Sequence, residues 1–302
     1  SLSLLCYLLF RKTPKKVVVQ SPPLLLSFLS GMVLSLKKKK IILNISDLWP
    51  LAAIELKAVK AGSFSHKVSL FMERFIYKKA TVIIGQSEEI LTHVKMLFPE
   101  KKAFLYCNFP DHQSDVFTLK TIENEPIKLF FAGLLGIAQG VSELCKQIDL
   151  KNLNIELHLF GDGAEKAAIE SLIADGKNPK IVYHGMMDRK ALHETLQTFD
   201  IALVPLKTRI YGSVPSKIFE YTALGFPVLY YGGGEGETIV AENQLGWVAS
   251  VGNFEELNQK LVEISKLDKT DLAMMKKSVF NRANHTFDLD NQLKDLIAKG
   301  VF

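Results

Sequence analysis

Short apolar runs recur along this chain, separated by segments of helical periodicity. The alternation is most regular in the second half. Residues 128–133 are apolar and end in glycine, and a helix is predicted from about Val141. Residues 155–160 form the next run, closed by Gly161-Asp162-Gly163 and followed by helical spacing to Ile173. Further strands are predicted over 181–184, 201–205, 226–231 and 247–250, with helices beginning at Asp188 and Pro215. Strands this apolar, separated by amphipathic helices, belong to a parallel sheet covered on both faces.

The first half has the same grammar. Strands are predicted over 17–20, 41–45, 81–85 and 103–106, and residues 1–10 read as the end of a helix. The apolar stretch 24–36 is too short to span a bilayer and contains Ser27, Ser30 and Gly31, so it reads as a helix packed on a sheet. A doubly wound sheet normally opens on a strand with a glycine-rich turn. None precedes Lys15, so the first domain is expected to begin partway through its fold. The expected division is a first Rossmann-like domain over 1–110, a polar, proline-containing linker over 111–126, a second Rossmann-like domain over 127–285 and a C-terminal helix over 286–302.

Length and composition permit this division. A chain of 302 residues can bury two cores, and an apolar fraction of 48% with 23% charged residues is that of a globular protein. Cys6, Cys107 and Cys145 are far apart and form no CxxC pair, which fits a reducing compartment and no cysteine-built metal site. The opening residues lack a basic region before the apolar run and do not read as a signal peptide. Charge is unevenly placed: residues 1–126 carry a net +8 and the remainder −3. The run Lys37-Lys38-Lys39-Lys40 and its neighbours suit an anionic membrane surface, or simply a solvated face. No nucleic-acid-binding motif accompanies them, and nucleic acid is not an expected partner.

The segment Val214-Pro215-Ser216-Lys217-Ile218-Phe219-Glu220-Tyr221 is the most informative. It reads as a helix opening on Pro215 and stopping at Gly225. Lys217 falls in the first turn, at the positive end of the macrodipole, where a cation is unfavourable without an anion beside it. A lysine and a helix N-terminus aimed together make a phosphate site. Glu220, three residues on, is placed to accept hydrogen bonds from ribose hydroxyls. The competing reading is an ordinary surface ion pair. Gly232-Gly233-Gly234-Glu235 follows a strand, where glycines let backbone approach a ligand. Gly161-Asp162-Gly163 has the same position, but there Asp162 reads more readily as the cap of the next helix. The Asp288-Leu289-Asp290 sequence precedes a helix and is read as capping rather than metal binding, and His158, alternating with apolar neighbours, reads as a core histidine. No histidine pair has metal-ligand spacing, and no metal site is expected.

Taken in order, these pieces resemble family 4 retaining glycosyltransferases of the GT-B fold. The likeness rests on Asp47-Leu48-Trp49-Pro50, Asn108-Phe109-Pro110-Asp111, Gly133 to Gly140, Phe160-Gly161-Asp162-Gly163, His184-Gly185, residues 200–205 and the Lys217/Glu220 helix. It is nearest to the branch that builds bacterial O-antigen, capsule and related polysaccharides. The resemblance implies an α/β protein of two Rossmann-like domains with parallel sheets facing a central cleft. It implies a UDP- or GDP-sugar donor as substrate, with no further cofactor. Gly136, Gln139, Gly140, Gly161, Ser216, Lys217, Gly233, Gly234 and Glu235 would contact the donor, Glu220 would bind its ribose, and Met186 or Met187 would hold the base. Asp47 and Lys217 would serve the reaction. The acceptor would be a lipid-linked or oligosaccharide sugar, and the enzyme would be cytoplasmic and peripheral at the inner face of the cell membrane. The chain departs from the family pattern at Gly212, where a glutamate is usual, and around Leu135 and Gln139, where many members have Arg and Lys against the diphosphate. Two rival readings are a nucleotide-sugar epimerase of the same architecture and a non-catalytic nucleotide-sugar-binding subunit.

Overall fold

The computed structural model describes residues 2–110, 125–176 and 178–302; most of the expected linker, residues 111–124, lies outside the described residues. The chain divides into two compact units. The first comprises Ser1–Asn108, Ile210–Val214 and Leu289–Phe302, and the second Phe109–Arg209 and Pro215–Asp288.

In chain order the first unit begins with α1 (Leu2–Phe10), β1 (Lys16–Ser21), α2 (Leu24–Leu36), β2 (Lys40–Ile45), α3 (Leu51–Glu55), α4 (Phe64–Lys79), β3 (Val82–Gly85), α5 (Glu88–Leu97) and β4 (Ala103–Leu105). The strands form one parallel sheet in the order β1-β2-β3-β4. Ile41, Leu43, Ile45 and Ile83 are buried on it beneath Val33 and Leu34 of α2 and Ile76 of α4. The lysine run ends α2 and turns into β2. Lys38 has φ 53°, and the amino groups of Lys37 and Lys39 donate to the carbonyls of Arg11 (3.0 Å) and Thr13 (2.8 Å). Half of that run therefore holds backbone in place.

The second unit contains β5 (Ile127–Ala132), α6 (Val141–Gln147), β6 (Ile155–Phe160), α7 (Lys166–Ala174), β7 (Ile181–Gly185), α8 (Arg189–Leu196), β8 (Ile201–Pro205), α9 (Ser216–Ala223), β9 (Val228–Gly232), α10 (Glu235–Glu242), β10 (Gly246–Ser250), α11 (Phe254–Ile264) and α12 (Lys269–Thr286). Its six strands are all parallel, in the order β10-β9-β8-β5-β6-β7. The order reverses direction between β5 and β8. β5, β6 and β8 are almost wholly buried, as strands covered on two faces must be. The ladder of β9 starts at Val228 rather than at Phe226, because Pro227 has no N–H to donate.

A buried ionic cluster joins α12 to this sheet. Asp200, 2% exposed, accepts from Lys276 Nζ at 3.0 Å, Lys269 Nζ at 2.8 Å and the Lys128 N–H at 2.9 Å. Burial pulls the Lys276 ammonium below its ordinary pKa, and Asp200 opposes that pull.

The last helix, α13 (Leu289–Ala298), belongs to the first unit although it follows the second in sequence. Leu296 and Val301 pack against Ile42, Val82 and Ile84, and Gln292 bonds both backbone polar groups of Cys107.

Candidate functional site

Open parallel sheets bind ligands at the carboxyl ends of their strands, next to the reversal of strand order. In the second unit that edge holds a cleft of about 580 Å³. Ala132, Gly133 and Leu134 line it after β5, Phe160 to Gly163 after β6, Met186 and Met187 after β7, and Lys217 from α9. A larger cavity of about 770 Å³ lies among Cys145, Ile169, Ile173 and Ile181, away from this edge. We take the smaller cleft as the site because its position, not its size, matches the chemistry of the fold.

Close backbone packing builds the cleft. Gly133 N–H donates to Phe160 O (3.0 Å), Leu135 N–H to Asp162 O (2.9 Å) and Gly161 N–H to Gly185 O (2.8 Å). Gly161 has φ 136°, and a Cβ there would lie 1.9 Å from the Gly133 oxygen. Tyr183 donates its hydroxyl to Gly161 O at 2.8 Å. Asp162 does not cap α7; Glu165 holds that position, while Asp162 accepts from the Gly163 N–H and pairs with Lys166 at 3.6 Å.

The α9 segment starts one residue later than the sequence pattern predicts. Pro215 is the N-cap, and Gly225 (φ 87°) follows the C-terminal end. Lys217 Nζ pairs with Glu220 Oε2 at 2.8 Å and sits 5.2 Å above the Tyr221 ring. The two side chains are 38% and 29% exposed, so the pair itself contributes little to stability. Tyr221 is buried and donates its hydroxyl to Ala132 O at 2.6 Å, which ties α9 to the end of β5. Burial raises the Tyr221 pKa, so the hydroxyl remains a donor.

Of the residues singled out in the sequence, Gly161, Met186, Met187 and Lys217 line one cleft, with Glu220 paired to Lys217. Ser216 is exposed at the start of α9. Gly136, Gln139 and Gly140 occupy the loop after β5, where Gly140 caps α6 with φ 66°. Gly233 and Gly234 lead from β9 into α10, which opens at Glu235; Tyr230 donates its hydroxyl to Gly233 O at 3.0 Å. These two groups do not line the cleft itself.

Asp47 belongs to the first unit and follows β2. Burial pushes its carboxyl above the usual range, opposed by a hydrogen bond from Ser213. Ser213 lies in the Ile210–Val214 segment, which is also part of that unit. Gly212 N–H donates to Glu89 at 2.7 Å, its carbonyl accepts from Ser87 Oγ at 2.7 Å, and Tyr211 N–H donates to Glu55 at 2.8 Å. Gly212 has φ 84°, and a Cβ would stand 2.9 Å from Leu48. A side chain at this position would be strained by that backbone conformation and would have to displace the end of Leu48.

Sequence reasoning missed the hydroxyls of Tyr183 and Tyr221, since nothing in a local pattern tells a buttressing tyrosine from a packed one. It read His158 as a core histidine. His158 is buried, 2.8 Å from His184 and 3.2 Å from Glu156, with burial lowering both histidine pKa values.

The model of the glycosyl transferases group 1 family matches residues 115–279, just over half of the chain. No curated protein matches the chain. Solved structures do. TarM of S. aureus is 14% identical with a TM-score of 0.73, covering 98% of this chain and 57% of its own. Anabaena Alr3699/HepE, solved with UDP and glucose, is 14% identical with a TM-score of 0.69, covering 94% of this chain and 77% of its own. The lipopolysaccharide outer core galactosyltransferase WaaB is 13% identical with a TM-score of 0.65, covering 99% and 79%. The chain thus spans little more than half the length of TarM. Its two parallel sheets have the GT-B fold of these neighbours.

Proposed function

The chain belongs to the glycosyl transferases group 1 family, and on that premise we propose that it is a retaining hexosyltransferase using a UDP- or GDP-sugar donor. The observation that carries this reading is the second unit's cleft, where Gly133, Gly161, Met186, Met187 and Lys217 converge at the carboxyl edge of the sheet. Glycosyl transfer develops positive charge on the sugar and negative charge on the leaving diphosphate. In this reading Lys217 and the start of α9 meet the diphosphate, and Glu220 turns from Lys217 to the ribose hydroxyls. The nucleobase rests against the backbone at Met186 and Met187. Protein groups supply the positive charge, with no metal ion. Asp47, its carboxyl pKa raised by burial, serves the sugar-transfer end of the reaction.

Isothermal titration calorimetry with UDP and GDP, in the presence of EDTA, tests this. Glu220→Ala should stay folded and bind the nucleotide about 1–3 kcal/mol more weakly, the cost of leaving buried donors unpaired. Equal affinities of the two proteins would reject the ribose assignment. A strict need for Mg²⁺ or Mn²⁺ would reject the metal-free reading.

We further propose a lipid-linked or oligosaccharide acceptor of cell-surface polysaccharide synthesis, reached at the cytoplasmic face of the membrane. Among the described residues no helix is long and apolar enough to cross a membrane. The basic first unit supports surface attachment instead. Lys38 and Lys40 are exposed, whereas Lys37 and Lys39 tether the turn after α1. Replacing Lys38 and Lys40 by Gln should reduce co-sedimentation with phosphatidylglycerol vesicles at low salt, by about 1 kcal/mol per lysine, without changing Tm. Replacing Lys37 and Lys39 should lower Tm. Unchanged sedimentation in the first variant would leave the run as a solvated face.

A further inference from the structure

Large apolar side chains exposed singly are ordinary, but a contiguous row of them marks a contact surface. The first unit has two such rows. On α4, Phe64 is 83% exposed and Phe71 62%. Lys67, Arg74 and Lys78 are exposed between and beyond them. These five positions are three or four residues apart, so they share one face of the helix. On α2, Leu25, Met32 and Leu36 are exposed, with Phe28 half-buried among them, again at spacings of three and four.

The two rows form one surface. α2 and α4 pack side by side over the sheet, and Gly31 lets them close, because the end of Ile76 occupies the place its Cβ would take. At that seam Phe28 lies edge-on to Phe71 and Phe75, with ring centroids 6.0 and 5.0 Å away. Lys79 stands 5.8 Å from the Phe75 centroid. Both helices run from the carboxyl edge of the parallel sheet back to its amino edge, which puts Lys38, Lys78 and Lys79 at the same end. Carboxylates are missing from this surface. Residues 22–46 and 56–72 contain neither Asp nor Glu. The one acid of α4, Glu73, is buried and pairs with His93 at 2.9 Å.

This combination selects the partner. Lysine is depleted in protein–protein interfaces, whereas helices that lie in a membrane surface carry Lys and Arg beside Phe and Leu. The long stems cover apolar surface while the charged heads reach outward. A second copy docked through the same face would set cation against cation. We propose that the α2–α4 face seats in the interfacial layer of an anionic bilayer. Its phenylalanines and leucines enter the acyl boundary, and Lys67, Arg74 and Lys78 meet lipid phosphates. This rests on the membrane-surface reading given above and adds insertion to charge attraction. α2 and α4 begin at the carboxyl edge of the sheet, the edge at which Asp47 follows β2. A lipid held against the face therefore lies at the edge that carries the residue proposed for sugar transfer.

The test is co-sedimentation of the full chain with phosphatidylglycerol and phosphatidylcholine vesicles. It compares the parent with Phe64→Gln/Phe71→Gln, Phe64→Gln and Lys67→Gln/Arg74→Gln. The parent should prefer phosphatidylglycerol. The double phenylalanine variant should bind it roughly tenfold more weakly or worse, the factor expected from losing the burial of one large apolar side chain. That deficit should persist at high salt, whereas the charge variant should fall short only at low salt. Phe64→Gln alone alters a side chain that is almost wholly exposed, so it should keep the parent's Tm and show part of the same loss. Phe64→Trp should gain blue-shifted emission on the vesicles and be quenched by brominated phosphatidylglycerol. If the parent binds phosphatidylglycerol and both phenylalanine variants bind it equally well, the face is not inserted, and attachment through Lys38 and Lys40 stands without it. If the parent self-associates and the double phenylalanine variant does not, with no vesicle binding by either, the face covers a second copy and the proposal is overturned. If the parent stays monomeric and binds neither vesicle, the membrane reading fails and takes this face with it.

Discussion

Asp200→Ala is expected to destabilise the protein by about 3–5 kcal/mol, the cost of stranding a buried charge. The motive is the cluster at the start of β8. Lys276 is 3% exposed, and its ammonium bonds only to Asp200 and the Phe199 carbonyl among the described contacts. Removing the carboxylate leaves that ammonium without its counter-charge and releases Lys269, which is 17% exposed and can turn to water. Urea unfolding measures the loss. The double variant Asp200→Ala/Lys276→Met should regain much of it, because an apolar side chain replaces the stranded cation. A double variant no more stable than Asp200→Ala would show that the cost lies in packing and not in charge.

Gly161→Ala is expected to damage both stability and nucleotide binding. Its φ of 136° is outside the range of ordinary L residues, and the added methyl would sit 1.9 Å from the Gly133 oxygen. Backbone strain of this kind costs about 1–3 kcal/mol before any clash is counted. The clash adds to it because both partners are backbone. Gly133 is held by Phe160, and Gly161 by Gly185 and Tyr183, so neither loop can retreat alone. The loops after β5, β6 and β7 should part, and with them the wall of the cleft. Nucleotide affinity should fall roughly tenfold or more, since a loss of 1.4 kcal/mol is already that factor. Gly176→Ala is the control. Gly176 also has positive φ (63°), but nothing lies within 4 Å of its missing Cβ. Equal stability costs in the two variants, with unchanged nucleotide affinity in Gly161→Ala, would show that the contact with Gly133 is not what fixes the cleft.

Both predictions concern side chains or glycines whose importance no local pattern reveals. Asp200 stands before an apolar strand and could equally have faced water. Gly161 lies in a Gly-Asp-Gly turn, and the turn alone does not say which glycine meets another loop.

The sequence by itself determined a good deal. Apolar runs of period and length suited to buried strands, spaced by amphipathic helices, dictate parallel sheets, and every strand expected in the two halves is present within about two residues of its bounds. Burial on two faces requires such runs, so their signal is local and strong. Placement of the Lys217 helix after β8 was legible for the same reason. So was the convergence of glycine turns at one sheet edge, because parallel topology puts every strand's carboxyl end on the same side. Tertiary structure alone decided what those turns touch. It assigned α13 and the Ile210–Val214 segment to the first unit, although both lie far from it along the chain. It stacked His158 with His184 and set the lysine run partly to work on backbone carbonyls. These outcomes depend on contacts between residues distant in sequence, whose geometry is fixed only once the sheets are assembled. Hydrophobic periodicity specifies which faces are buried; it does not specify which polar group meets which across the finished edge.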